Sequence, residues 1–162
     1  MYRLLADSSA AVVLAPEDVS TSTMSPDLCE RYTLRHLDDY ADIVHVGGKL
    51  LIAHMCGLLQ GMAPLIARTR LDGIESVTPP TTGNLPVVEA RAAWPDKMII
   101  GGLEPKSLAM LPAGDVYAYA HDVLRRAAPG IGFVLATGDA TAWGTPVENL
   151  LAVTEAVAAF AG

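Results

Sequence analysis

A histidine and a cysteine lie two residues apart, at His54 and Cys56, in the stretch that follows an apolar run at residues 50–53. In extended backbone, side chains two residues apart point to the same side of a strand, as two ligands of one ion must. An imidazole and a thiolate suit Zn²⁺, with bonds of about 2.0 to 2.1 Å to nitrogen and about 2.3 Å to sulfur. The same spacing also fits a buried cysteine beside a hydrogen-bonded histidine, so both interpretations stay open.

Two carboxylates lie where they could complete a metal site. Glu75 is within the next apolar run, at residues 73–77, and Asp139 lies in the polar loop after the last run, at residues 132–136. Glu75 is therefore a candidate third ligand and Asp139 a candidate fourth, with Zn²⁺ as the candidate cofactor. Each also has a structural interpretation, Glu75 paired with Arg or Lys in a barrel interior and Asp139 accepting hydrogen bonds from loop N–H groups.

The elements that must position these residues follow a regular alternation. Short runs rich in Val, Ile and Leu, at residues 10–14, 50–53, 73–77, 97–102 and 132–136, alternate with segments of helical period at residues 25–47, 58–67, 87–94, 115–128 and 145–160. Consecutive strands separated by helices predict a parallel sheet. Its carboxyl-terminal ends meet at one edge, where Glu17, Asp18 and Glu104 are further candidates.

Two parallel architectures fit the length of the chain. A complete eight-stranded β/α barrel takes about 250 residues, so 162 residues suit five of its eight units or an open doubly wound sheet. The chain has no Gly-x-Gly-x-x-Gly turn and no Gly-x-x-x-x-Gly-Lys-Ser/Thr motif, which removes the main support for a nucleotide-binding open sheet. We therefore expect one domain over residues 1–162, an α/β fold made of part of a (β/α)₈ barrel.

Composition excludes several classes of protein. Hydrophobic residues make up 51% and charged residues 18%, which excludes a disordered tail. The net charge of −7 disfavours nucleic acid as a partner. No apolar stretch approaches the roughly 20 residues that cross a bilayer, so no membrane partner is expected. Two cysteines cannot form a disulfide framework and residues 1–8 lack the core of a signal peptide, which predicts a cytoplasmic location.

The sequence marks the starts of two helices clearly. Ser25 and Pro26 predict a helix start, followed by a buried stripe of Cys29, Tyr32, His36 or Leu37, Tyr40 and Val44. Thr145 and Glu148 have the spacing of a capping box, with Pro146 at the first helical position.

These motifs, in this order, resemble the uroporphyrinogen decarboxylase superfamily, which also contains zinc-dependent corrinoid and thiol methyltransferases. The resemblance runs from about residue 10 to the carboxyl terminus. It rests on Ser25-Pro26, His54-Met55-Cys56-Gly57, Ile74-Glu75-x-x-Thr78-Pro79-Pro80, Gly101-Gly102-Leu103-Glu104-Pro105, Gly132-Phe133-Val134-Leu135 and Thr145-Pro146-x-Glu148-Asn149-Leu150. It implies a (β/α)₈ barrel whose last five units are the five runs above and whose first units are missing.

The superfamily contains two chemistries, and the sequence departs from both. The methyltransferases hold zinc with His-x-Cys and a later Cys, sometimes with a Glu. The resemblance matches His54, Cys56 and Glu75 to this set, with Asp139 in place of the later Cys. Zinc accepts a carboxylate as a ligand. A carboxylate is a harder, less polarisable ligand than the thiolate it replaces, so the zinc site is less suited to activating a thiol. The decarboxylases carry Gly-His-Gly where this chain has Gly138-Asp139-Ala140, and their key aspartate and arginines belong to the missing units.

Three functions therefore remain as expectations. The first is zinc-assisted methyl transfer from a corrinoid or similar donor to a thiol. The second is cofactor-free decarboxylation of uroporphyrinogen, a step of porphyrin biosynthesis. The third is a silent domain, or half of a split enzyme, that acts through association. The expected small-molecule partners are a methyl donor and thiol, or a porphyrinogen. Two unpaired parallel sheet edges also predict a homodimer or a separate amino-terminal half-barrel.

Overall fold

The computed structural model describes residues 1–127 and 132–161, and it contains one parallel sheet of five strands in sequential order. The strands are β1 (Val12–Pro16), β2 (Leu50–His54), β3 (Gly73–Val77), β4 (Met98–Leu103) and β5 (Phe133–Thr137). Each neighbouring pair is parallel. The predicted α/β architecture of five consecutive barrel units is confirmed.

Helices connect the strands. They are α1 (Tyr2–Ala6), α2 (Pro26–Leu28), a π-helical segment (Cys29–Leu34), α3 (Arg35–Val46), α4 (Ala63–Ala67), α5 (Val87–Ala93), α6 (Pro105–Met110), α7 (Ala113–Ala127) and α8 (Val147–Ala161). The sequence analysis did not predict α1 or α6. The predicted end of α7 at Ala128 lies outside the described residues. Within the described ranges, none of the helices combines the length and apolar character needed to span a bilayer.

The two faces of the sheet have different environments. On the outer face Val13, Leu51, Ile74 and Ile99 are buried under the helices, in the main hydrophobic core. The alternate residues form an inner face, whose register places Pro16, His54, Glu75, Ile100 and Val134 side by side across the five strands. The carboxyl-terminal part of this inner face therefore carries two of the predicted ligands.

The helix that begins after Ser25 differs from the prediction at one turn. The Ser25 hydroxyl accepts a hydrogen bond from Leu28 N at 3.3 Å, which confirms the predicted cap. The π-helical segment then adds a residue to the turn, so that the buried residue after Cys29 is Leu34, five positions on. The predicted stripe is therefore wrong at Tyr32, which is exposed.

The start of α8 also differs from the prediction. The helix begins at Val147 rather than Pro146, and the Thr145 hydroxyl donates to the Ala142 carbonyl oxygen at 2.7 Å. Thr145 therefore stabilises the preceding turn, and among the described residues no capping-box bond joins it to Glu148. The reason is that the helix begins at Val147, which makes Glu148 its second residue, whereas a capping box needs the glutamate at the third.

Candidate functional site

His54 and Glu75 meet at the carboxyl-terminal ends of β2 and β3. The two residues are paired in the strand register, so their side chains leave the same face of adjacent strands. Nδ1 of His54 lies 2.5 Å from Oε2 of Glu75, and about a quarter to a third of each side chain is exposed, at 31% and 26%. This contact is a short hydrogen bond at the open rim of the sheet, and it fixes the orientation of the imidazole.

Cys56 lies beside a carboxylate that the sequence analysis did not include in the ligand set. Backbone pairing continues beyond β1, since Glu17 N donates to His54 O at 3.3 Å. Two residues beyond the Pro16–His54 pair, Asp18 therefore comes opposite Cys56. The Cys56 thiol donates to Oδ1 of Asp18, with sulfur and oxygen 3.8 Å apart.

The electrostatic surroundings of Cys56 favour the neutral thiol. Burial is the largest cause that raises the pKa of Cys56 above its ordinary value, and the carboxylates of Asp139 and Asp18 raise it further. The charge of Asp139, in the loop after β5, thus acts on the same thiol as that of Asp18. At neutral pH Cys56 is therefore protonated, and binding of a metal ion must displace that proton.

Replacing Asp18 with asparagine is expected to lower the pKa of Cys56, because one of the two negative charges that oppose thiolate formation is removed. Iodoacetamide alkylation, which requires the thiolate, should become faster at a given pH, and its pH profile should shift to lower pH. Mass spectrometry of the Cys56 peptide measures this rate.

The second cysteine and a matched aspartate variant serve as controls for the alkylation measurement. Burial raises the pKa of Cys29, the other cysteine, to about 11. Alkylation of Cys29 is therefore slow and can be distinguished from alkylation of Cys56. The matched variant Asp115→Asn, in the first turn of α7, should leave the profile of Cys56 unchanged. An unchanged rate in Asp18→Asn would contradict the electrostatic assignment.

Asp139 is held in place by the loop after β3. The Thr78 hydroxyl, which is buried, donates to the Gly138 carbonyl oxygen at 2.5 Å. A Cβ atom on Gly138 would overlap this hydroxyl, so the loop can approach only because residue 138 is glycine. Oδ1 of Asp139 accepts a hydrogen bond from Ala140 N at 2.6 Å, as the structural interpretation of this residue predicted.

The structure therefore brings only two of the four predicted ligands into contact, His54 and Glu75, whereas Cys56 contacts Asp18, which was not in the predicted set, and is subject to the charge of Asp139. Over residues 1–127 and 132–161, no three His, Cys, Asp or Glu side chains are assembled as a ready metal site. The donor types nevertheless fit zinc, since an imidazole nitrogen, a sulfur and carboxylate oxygens are its usual ligands. The four-residue ligand set stays a prediction.

Glu104, another carboxylate predicted at this edge, has a structural role. Its side chain is buried and accepts hydrogen bonds from Thr82 N at 3.0 Å, from the Thr82 hydroxyl at 2.6 Å and from Lys106 N at 3.3 Å. It therefore caps α6 and anchors the loop after β3.

The sequence analysis assigned no role to Thr78, although this residue positions the Asp139 loop. The only available signal was its place in the Thr78-Pro79-Pro80 motif.

Comparisons with known proteins show where this fold belongs. A uroporphyrinogen decarboxylase from Anaeromyxobacter dehalogenans is 37% identical over 76 residues, which are 47% of this chain and 22% of that protein. A solved methyltransferase structure from Methanosarcina mazei matches with a TM-score of 0.80 at 24% identity, over 99% of this chain and 45% of that one. The chain thus spans less than half the length of either protein.

The similarity to the methyltransferase supports the fold, because all five strands and their helices align with part of a larger chain. The family model described as uroporphyrinogen decarboxylase (URO-D) matches residues 2–160. This match covers nearly the whole sequence, from the first residue of α1 to the last turn of α8. The chain therefore belongs to the uroporphyrinogen decarboxylase family.

Proposed function

We propose that the chain carries a zinc site at the carboxyl-terminal rim of its sheet and takes part in methyl transfer to a thiol, from a corrinoid or similar donor. The observation that carries the proposal is an imidazole oriented by Glu75, at His54, followed two residues later by a thiol that contacts the Asp18 carboxylate, at Cys56. The similarity in fold to a methyltransferase is consistent with it. The proposed location is cytoplasmic, and the proposed substrates are small molecules rather than nucleic acid.

Each side chain of the proposed site has a separate role. Of the four predicted ligands, we now assign Glu75 the role of orienting His54 through Nδ1, which leaves Nε2 of that imidazole as the ligand atom. Cys56 and Asp139 supply sulfur and oxygen, and Asp18 is placed to accept the proton that Cys56 must lose. When bound, zinc would lower the pKa of a coordinated substrate thiol and so favour the nucleophilic thiolate at neutral pH.

Zinc binding by the purified chain tests this proposal directly. The chain is stripped with a chelator and titrated with Zn²⁺ against a chromophoric competitor, and with Co²⁺ to detect thiolate coordination by absorption. We expect one equivalent of metal and a sulfur-to-cobalt band that Cys56→Ser abolishes. His54→Ala should lower zinc affinity by more than about 100-fold, whereas Glu75→Gln should lower it by about 10- to 100-fold, the range for residues that orient a ligand.

A matched control is available on the surface of the protein. His36 is an exposed histidine of α3, so His36→Ala should leave zinc affinity unchanged. Circular dichroism establishes that each variant is folded. A fully folded wild-type chain that binds no zinc, or an equal loss in His36→Ala, would contradict the proposed site.

Decarboxylation of uroporphyrinogen is a second candidate, favoured by the 37% identity to a uroporphyrinogen decarboxylase. It needs no cofactor, so it should be unaffected by chelators and by Cys56→Ser. Incubation of the chain with uroporphyrinogen, followed by chromatographic detection of coproporphyrinogen, tests it. Absence of product would contradict this candidate and would leave the zinc proposal unaffected.

A further inference from the structure

Strand β3 is irregular directly after Glu75. Up to this residue β3 and β4 pair one residue for one, with Glu75 opposite Ile100, but the next pair joins Val77 to Gly101. Ser76 is therefore an extra residue on β3, which makes this point a β-bulge. Bulges are rare between parallel strands, and they are over-represented next to active sites, where they change the direction of a side chain. This bulge lies beside a residue of the proposed site.

Ser76 also has a costly backbone conformation. Its φ is +73°, in the left-handed region that residues with a Cβ atom rarely adopt, and the residue is 1% exposed. No other non-glycine residue in the described ranges has a positive φ. Conformations of this cost persist only where the surrounding structure holds them, and they cluster at active sites. The contacts of the neighbouring residues show what this conformation achieves.

The bulge reverses the alternation of β3 after Glu75. In a regular strand Val77 would share the inner face with Glu75, because the two residues are two positions apart. Val77 instead pairs with Gly101, which follows Ile100 on β4, and consecutive residues of a strand belong to opposite faces. Val77 is accordingly fully buried in the main hydrophobic core. The end of β3 is thus anchored in the core, directly beyond a carboxylate that stays on the inner face.

The same reversal brings Thr78 to the inner side of the rim. Thr78 is three residues after Glu75, so only the extra residue between them puts both on one face of the strand. The Thr78 hydroxyl donates to the carbonyl oxygen of Gly138, the residue before Asp139. Glu75 lies against Nδ1 of His54. One bulge therefore separates two contacts of β3, one with the imidazole and one with the loop after β5.

We propose that Ser76 is a positioning residue of the site at the rim, and that it acts through the residues on either side of its bulge. The bulge lets β3 direct Glu75 at His54. It also lets the strand direct Thr78, three residues later, at the loop after β5. As a statement about zinc binding, this inference rests on the proposed function. The orientation of the His54 imidazole is a property of the chain without metal, so the positioning role is also testable separately.

Two substitutions at residue 76 test the proposal. Both remove the hydroxyl, but glycine adopts a positive φ freely, whereas valine is branched at Cβ and disfavours it strongly. The first measurement is the NMR signal of the His54 ring N–H that is hydrogen-bonded to Glu75, recorded without metal and identified by its loss in Glu75→Gln. We expect Ser76→Gly to retain this signal and Ser76→Val to lose it.

Zinc affinity is the second measurement, made by the competitive titration described above. Ser76→Val should lower the affinity by about 10- to 100-fold, the range for residues that orient a ligand, and Ser76→Gly should leave it unchanged. Leu108→Ala controls for a general loss of stability, because it opens a cavity at a buried leucine of α6. This control should change neither the His54 signal nor the zinc affinity.

The outcomes separate this inference from the proposed function. A folded Ser76→Val variant with the His54 signal and zinc affinity of the wild type would overturn the positioning role, as would a loss of both in Ser76→Gly or Leu108→Ala. If Ser76→Val does not fold, Ser76→Thr, which keeps the hydroxyl and adds one methyl group, is judged by the same criteria. A wild-type chain that binds no zinc would contradict the proposed function, whereas the His54 signal would still decide the role of Ser76.

Discussion

Gly101→Ala is expected to destabilise the protein by about 4 kcal/mol, because two costs add at this position. Gly101 has φ +140°, a conformation that residues with a Cβ rarely adopt. A Cβ there would also lie 2.8 Å from Val77 N and would overlap the Val77 carbonyl oxygen on the neighbouring strand. The loss would be a large fraction of the total stability, which for domains is about 5 to 15 kcal/mol.

Urea unfolding followed by circular dichroism measures this loss, with Gly114→Ala as the matched control. Gly114 is in the first turn of α7, with open space where its Cβ would be. Alanine also has the higher helix propensity, so this control should be neutral or stabilising by up to about 1 kcal/mol. Equal unfolding midpoints for the two variants would contradict the steric argument at the β3–β4 junction.

Trp94→Ala is the second large expected effect, a loss of about 3 to 5 kcal/mol in the free energy of unfolding. Trp94 follows α5 and is 1% exposed, so its removal leaves a cavity in the core. Its Nε1 also donates to the Ala63 carbonyl oxygen at 2.9 Å, which joins α4 to α5.

Trp94→Phe separates the two contributions. Phenylalanine keeps most of the apolar volume but loses the hydrogen bond, so this variant should lose about 1 to 3 kcal/mol, the cost of that bond and of a smaller ring. Thermal unfolding by calorimetry ranks the three proteins. If Trp94→Phe were as unstable as Trp94→Ala, the hydrogen bond rather than the packing would dominate.

The strands were predictable because their signal is local. Each apolar run is short, is bounded by turn residues and alternates with a helical segment, and all five runs overlap the observed strands. The helix after Ser25 shows the limit of this approach. A stripe drawn at α-helical spacing from Cys29 includes Tyr32, but the π turn shifts the buried face to Leu34. Packing against the rest of the chain selects that turn, and the residue pattern does not encode it.

The candidate site was partly predictable, because the order of the strands follows from the sequence whereas their register does not. The order of the strands places His54 near Glu75, and the structure brings them into contact. The pairing of Cys56 with Asp18 depends on the register of β1 against β2, which extends beyond both strands. Register is fixed by the packing of both faces of the sheet, so a single strand sequence does not contain it.

The contact between Thr78 and Gly138 joins loops from strands that are not neighbours. Thr78 follows β3 and Gly138 follows β5, and within the loop after β3 a Cβ atom on Gly83 would overlap the Thr78 carbonyl oxygen. Gly138 N also donates to the Leu103 carbonyl oxygen at 2.8 Å, at the end of β4. The ends of the three strands are thus tied together at Gly138, so the backbone that leads into Asp139 is anchored to the segments that follow β3 and β4.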